Sequence, residues 1–102
     1  YKAVEKRSKK LRGCNMSFWK DDLIKINGFN ENLVGWGIDD SEMIQRLHNI
    51  GVRGKRLKFA GIVYHIYHKE QSKSHIEINL DIEKQTTIGK LTYIEKGINQ
   101  FL

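Results

Sequence analysis

Apolar positions recur along the chain in short blocks, and each block is closed by glycine or asparagine because proline is absent. Gly13–Phe18 (GCNMSF) reads as a short buried strand ending in Ser17. Lys20–Ile26 begins with acids and carries Leu23, Ile24 and Ile26 ahead of Asn27 and Gly28, which predicts a short helix with a glycine stop. Phe29–Ile38 (FNENLVGWGI) holds turn formers and two glycines and reads as a loop. Asp40 or Ser41 is placed to cap a second helix running to Ile50, with Met43, Ile44, Leu47 and Ile50 on one face and Gly51 as its stop. Arg56–Tyr67 is rich in β-formers and predicts one or two strands around Gly61. Two periods compete at the end. Ile76, Ile78, Leu80 and Ile82 alternate as in a strand, whereas Ile88, Leu91, Ile94 and Ile98 repeat nearly as in a helix. One long helix from about Asn79 to Gly97 is favoured, because an unpaired alternating strand would present an open edge.

Composition narrows the class. A chain of 102 residues is one small domain or one piece of a larger one. With 39% hydrophobic and 29% charged residues it is neither a membrane-spanning protein nor a disordered tail. No apolar run approaches the roughly 20 residues that span a bilayer. The basic start is followed by no apolar stretch and does not read as a signal peptide; the first residue is not methionine, and the chain is expected to be an excised fragment. The net charge of +6 is unevenly placed: Lys2, Lys6, Arg7, Lys9, Lys10 and Arg12 crowd residues 1–12, while Glu31, Asp39, Asp40 and Glu42 stand together without a base among them. A basic arm could contact a polyanion, although a solvated helix or strand end is the plainer reading. Cys14 is single, so no internal disulfide forms, and it is expected as a small buried hydrophobe.

Three groups of residues could carry chemistry. In Gly35-Trp36-Gly37-Ile38-Asp39-Asp40-Ser41-Glu42 the glycines let the backbone approach a ligand and let the indole swing. An indole face suits the apolar face of a sugar ring, the carboxylates accept hydrogen bonds from its hydroxyls, and Asp40 is well placed for a general base at a helix start, where the dipole favours negative charge. The plainer alternative is a helix cap with an acidic first turn and a tryptophan plugging the core. In Tyr64-His65-Ile66-Tyr67-His68 two imidazoles stand three apart, and they reach one metal only if the chain turns at Ile66–Tyr67. Two ligands are too few for a structural zinc site. The plainer alternative is one buried and one exposed histidine. In Gly13-Cys14-Asn15-Met16-Ser17 the small and polar residues suggest a backbone lying against a ligand, or simply a core strand.

Together and in this order, GCNMSFWKDDLIKINGFNENLVGWGIDDSEMIQRL resembles the acceptor-side segment of inverting nucleotide-sugar glycosyltransferases. It is similar to the C-terminal domain of β-1,4-galactosyltransferases and to bacterial chondroitin-type polymerases. The likeness covers about Gly13 to His68: a Gly-rich strand, an ING-F turn, W-G-(x)-E/D-D before a helix, then a histidine on a following strand. It implies Asp40 as the catalytic base toward an acceptor hydroxyl and Asp39 as its acidic neighbour on the acceptor. Trp36 and Gly37 match the mobile tryptophan loop, and Gly13 and Asn15, in the Gly-rich strand of the pattern, are taken with them as candidate sugar-binding residues. His68 matches the ligand of a catalytic Mn²⁺. His65 falls where the animal enzymes carry a methionine ligand, and Ser41 replaces an acid, so the acceptor is left open.

The implied fold is α+β: the C-terminal portion of a GT-A nucleotide-diphospho-sugar transferase, with short strands, two short helices and a long C-terminal helix. It divides into a basic arm (1–12), an acceptor and metal segment (13–70) and a helical tail (71–102). The family's upstream Asp-x-Asp is absent here, so the chain alone is expected to be inactive. The implied intact enzyme transfers a hexose, galactose or N-acetylgalactosamine, from a UDP-sugar to a saccharide acceptor with inversion, in polysaccharide biosynthesis. Its expected setting is the bacterial cytoplasm, peripheral to the membrane, without nucleic acid as a partner. The alternative is a non-catalytic module that binds carbohydrate or a polyanion.

Overall fold

The computed structural model describes residues 3–4, 13–57, 61–70 and 72–102. Their order is strand β1 (Ala3–Val4), a 3-10 turn at Gly13–Asn15, helix α1 (Lys20–Ile26), helix α2 (Asp39–Asn49), strand β2 (Gly54–Lys55), helix α3 (Ile76–Ile88) and a 3-10 turn at Ile98–Phe101. β1 and β2 pair antiparallel, Ala3 with Lys55 and Val4 with Gly54. Residues 5–12, most of the expected basic arm, lie outside the described residues.

α1 forms where the sequence places it. Asp21 and Asp22 complement the positive helix start, Lys25 sits in the last turn, and Asn27 takes the left-handed conformation at φ 66°. The amide of Asn27 donates to Ile24 O, and Gly28 N donates to Leu23 O at 2.8 Å, which satisfies carbonyls the helix leaves open. α2 ends the same way: Gly51 (φ 89°) donates to His48 O and Val52 to Leu47 O, both at 3.0 Å. Val52 then packs on the core. The core is Ile26, Met43 and Leu47, with Phe18, Leu23, Ile44, Ile50 and Val52 partly buried around it. The apolar face expected of α2 is therefore the one it buries.

Other expectations are corrected. Gly13–Phe18 is not a buried strand: it starts as a 3-10 turn, and Cys14 is exposed. Asn15 donates from its side chain to Gly61 O (3.0 Å), a contact between irregular segments. Arg56–Tyr67 forms no strand among its described residues, and 61–67 are exposed. β-branched and aromatic residues favour strands only where a neighbour gives them a pleated surface to pack on.

The tail also differs. α3 starts at Ile76 and stops at Ile88, rather than running from Asn79 to Gly97. Its inward positions, Ile76, Asn79, Ile82, Glu83 and Thr86, follow a helical period, and the alternation of isoleucines leaves Ile78 and Leu80 outside. Lys90 turns left-handed (φ 48°), and Leu91 N bonds back to Thr86 O at 3.1 Å. The chain then returns to the end of α1. The side-chain nitrogen of Asn27 donates to Ile94 O (2.7 Å) and to Asn99 Oδ1 (2.8 Å), while Ile98 N donates to Asn27 O (2.9 Å). Ile94 is buried by this return, which removes its apolar surface from water.

Candidate functional site

Residues 35–38 make an unusual stretch of backbone. Gly35 (φ 77°), Gly37 (φ 100°) and Ile38 (φ 77°) all lie in the left-handed region, and for a β-branched isoleucine that conformation is strained. A Cβ at Gly37 would stand 2.7 Å from Ile76 Cδ1, so the absence of a side chain lets the loop lie against α3. The amide of Trp36 donates to Ser72 O at 3.2 Å, and Lys73 Nζ sits 4.4 Å from the indole centroid, in cation–π geometry. Asn79 Nδ2 donates to Val34 O (2.9 Å) and Gly37 O (3.2 Å). Trp36 is 43% exposed, so it is a partly open aromatic surface and not a core plug.

α2 begins directly after this loop. Its N-cap is Ile38, with no side-chain cap, and Glu42 N closes the first turn on Ile38 O at 2.8 Å. The sequence had suggested Asp40 or Ser41 as the cap, but neither is; the left-handed turn at Ile38 starts the helix two to three residues earlier. Asp39 is exposed and Asp40 half-buried. Asp40 Oδ1 accepts from Ser41 N–H at 2.7 Å, and its second oxygen has no hydrogen-bond partner among the described residues. Ser41 Oγ bonds Ile38 O (3.2 Å) and the Glu83 carboxylate of α3. The result is two carboxylates on the first turn of α2, directly after the loop that carries Trp36, where free N–H groups favour negative charge.

The histidines form a second group. His65 Nε2 and His68 Nε2 are 3.2 Å apart, their ring centroids 5.3 Å apart, and both are exposed rather than divided between core and surface. His68 Nδ1 lies 3.1 Å from Lys69 O. A proton on that nitrogen leaves Nε2 as an electron-pair donor. The separation suits adjacent ligands on one ion, since metal–nitrogen bonds of about 2.1 Å put neighbouring donors roughly 3.0–3.4 Å apart. Among the described residues no group of three or more His, Cys, Asp or Glu is assembled to hold a metal. The two imidazoles thus fit half of a ligand set.

Trp36 and Gly37 lie on the loop that leads directly into Asp39 and Asp40 on the first turn of α2, and His65 and His68 face each other separately. Asn15 reaches the second stretch through Gly61 O, and Gly13 opens the 3-10 turn before it. No hydrogen bond or ring contact among the described residues joins the tryptophan loop to the histidines; the loop is seated on Ser72, Lys73, Ile76 and Asn79 instead. Those seat residues were not read from the sequence. The one available signal was Asn79, a lone amide amid Ile76, Ile78, Leu80 and Ile82.

Comparison with known proteins bears on the same stretch. The family described as the N-terminal domain of galactosyltransferase matches residues 2–69, which include both residue groups. Human and mouse chondroitin sulfate synthase 3 are each 33% identical over 63 residues, 62% of this chain but 7% of theirs, so the chain spans a small part of those relatives' length. No solved structure matches. Among the described residues no helix is long and apolar enough to cross a membrane. The sequence resembles the C-terminal domain of such enzymes, whereas the matching family is described as N-terminal. With the match covering more than half of its length, the chain belongs to this galactosyltransferase domain family.

Proposed function

We propose that this chain is the acceptor-side portion of a GT-A glycosyltransferase that moves a hexose, galactose or N-acetylgalactosamine, from a UDP-sugar to a saccharide acceptor with inversion. The observation that carries the reading is the half-open Trp36, held by left-handed glycines directly before Asp39 and Asp40 on the first turn of α2. Trp36 offers its face to a sugar ring, Asp39 accepts hydrogen bonds from acceptor hydroxyls, and Gly37 keeps the approach clear. Asn15 and Gly13 contribute a polar turn beside the histidine segment. Asp40 takes the proton of the attacking hydroxyl as its oxygen bonds to the anomeric carbon. The bond from that carbon to the diphosphate breaks, and its electron pair leaves with UDP.

His65 and His68 would hold a divalent ion, Mn²⁺, together with oxygen ligands from elsewhere in the enzyme and from the donor. When bound, such an ion supplies positive charge to the departing diphosphate. The relatives' name speaks of chondroitin sulfate, which supports a polysaccharide product. The bacterial, cytoplasmic and membrane-peripheral setting is part of the same proposal; the relatives named above are mammalian.

The test is transfer from UDP-galactose and UDP-N-acetylgalactosamine by the full-length protein. Asp40→Asn should lower turnover roughly a hundredfold or more while donor binding stays near normal. Wild-type turnover in that variant removes Asp40 from the chemistry. Saccharide binding without transfer from either donor supports a carbohydrate-binding module instead.

A further inference from the structure

Asn79 lies on the inner face of α3, 1% exposed, and its Nδ2 reaches across to two carbonyls of the tryptophan loop, Val34 and Gly37. Both partners are oxygens, so the amide must present its nitrogen to them, which fixes its orientation. That leaves Asn79 Oδ1 buried without a hydrogen bond among the described residues. An unpaired buried carbonyl costs free energy that an apolar residue of similar size would not incur. The two bonds that the side chain does make are both to the loop.

Those bonds fall on either side of Gly35-Trp36-Gly37. This stretch has few conformational restraints of its own, since two of its three residues are glycines at positive φ. The amide ties the carbonyl before the stretch to the carbonyl at its end, and so fixes the span from which Trp36 projects. The Gly37 carbonyl lies one residue before Ile38, the N-cap whose oxygen receives both Glu42 N–H and Ser41 Oγ. Holding Gly37 thus also sets where the first turn of α2 begins, and with it Asp39 and Asp40 relative to the indole.

We propose that Asn79 is the positioning residue of the Trp36 loop: one buried amide, bridging the Val34 and Gly37 carbonyls, holds the indole in register with the two carboxylates. This rests on the reading of Trp36 and Asp40 as the sugar-binding and catalytic groups. Asn79 itself touches neither substrate nor reacting atoms.

The test uses full-length protein labelled with 5-fluorotryptophan, the Trp36 resonance being assigned by its loss in Trp36→Phe. In Asn79→Ala that resonance should move toward its value in the urea-unfolded protein. The population of the seated loop should fall about tenfold, equal to about 1.4 kcal/mol and the scale of one to two net hydrogen bonds. Acceptor KM should rise by the same factor while donor KM stays within about twofold. Thr86→Ala is the control, since Thr86 is equally buried on the same face and its side chain donates to Ile82 O within α3, not to the loop. Asn79→Ser is read in place of Asn79→Ala should the latter not fold. An unmoved Trp36 resonance with unchanged acceptor KM overturns the proposal, as does an equal movement in Thr86→Ala. A Trp36→Ala enzyme with normal acceptor KM would instead overturn the sugar-binding role of Trp36, and the fluorine result would still decide whether Asn79 seats the loop.

Discussion

Arg46 donates from Nε to both carboxylate oxygens of Glu42, at 3.0 and 2.7 Å, with both side chains fully buried one turn apart on α2. Its Nη1 donates to Ile26 O at 2.6 Å, so the same guanidinium joins α2 to the end of α1, while Nη2 has no partner among the described residues. Charge is thus buried directly beside Ile26 and Met43 in a small core.

Removing one partner should be far worse than removing both. Glu42→Gln or Arg46→Met leaves a buried group uncompensated and is expected to cost about 3–5 kcal/mol, a large share of a small domain's stability. The double variant Glu42→Leu/Arg46→Met should recover much of that loss, since apolar replacements of a buried pair are often neutral. Urea unfolding of the three variants checks the order; a double variant at least as unstable as the worse single would refute it.

Three glycines separate backbone strain from collision. Gly97 has no left-handed conformation, but a Cβ there would overlap the carbonyl oxygen of Asn27. Gly51 has φ 89° and nothing within 4 Å of the added atom, and Gly54 has neither problem. Gly54→Ala should be nearly neutral, Gly51→Ala should cost about 1 kcal/mol from strain alone, and Gly97→Ala should cost most because it opens the Asn27 junction. Thermal melts give the ranking, at about 4–8 °C per kcal/mol for a domain of this size. A harmless Gly97→Ala would mean that the tail does not return onto α1.

That junction also marks the limit of what the sequence discloses. α1, the loop at 29–38 and the buried face of α2 are local: periodicity, acids at the start and Asn-Gly or Gly at the end specify them within a dozen residues. The tail is decided by a non-local contact. Asn27 collects Ile94, Ile98 and Asn99 from about seventy residues away, and nothing in the local period of 88–98 announces that partner. The same holds for the site. Trp36, Asp39 and Asp40 are adjacent in sequence and were legible together. Their seat on Ser72, Lys73 and Asn79 depends on how α3 lies on α2, which period alone does not encode. The strand expected in 56–67 does not form among its described residues for a related reason, because β-propensity expresses itself only against a neighbouring strand.

Trp36→Ala should alter function more than folding. The indole is partly open to solvent and held by Lys73 and one backbone bond, so its loss is expected to cost less than about 1.5 kcal/mol of stability. Met43→Ala, by contrast, empties a fully buried position and should cost about 2–5 kcal/mol. Parallel denaturation of the two variants, with acceptor titration of full-length Trp36→Ala, measures both effects. Equal destabilisation by the two substitutions would make Trp36 a core residue after all.

Metal dependence should follow from the count of ligands. His65 and His68 face each other at 3.2 Å, but they are exposed and lie apart from the core of Ile26, Met43 and Leu47. An ion held by two imidazoles contributes little folding free energy, because a structural site needs about four protein ligands. The isolated chain should therefore melt at the same temperature with and without EDTA and bind Mn²⁺ only weakly by calorimetry. In the full-length enzyme, where carboxylates and the donor diphosphate complete the ligand set of the proposed mechanism, activity should require Mn²⁺. His68→Ala should then raise the concentration needed for half-maximal rate by about tenfold or more. His65→Ala is the informative partner: a comparable rise makes it a ligand, while an unchanged requirement assigns the ion to His68 and other groups. Tight stoichiometric Zn²⁺ binding by the isolated chain, or unfolding on chelation, would show instead that the histidines build a structural site, and the catalytic assignment would fall.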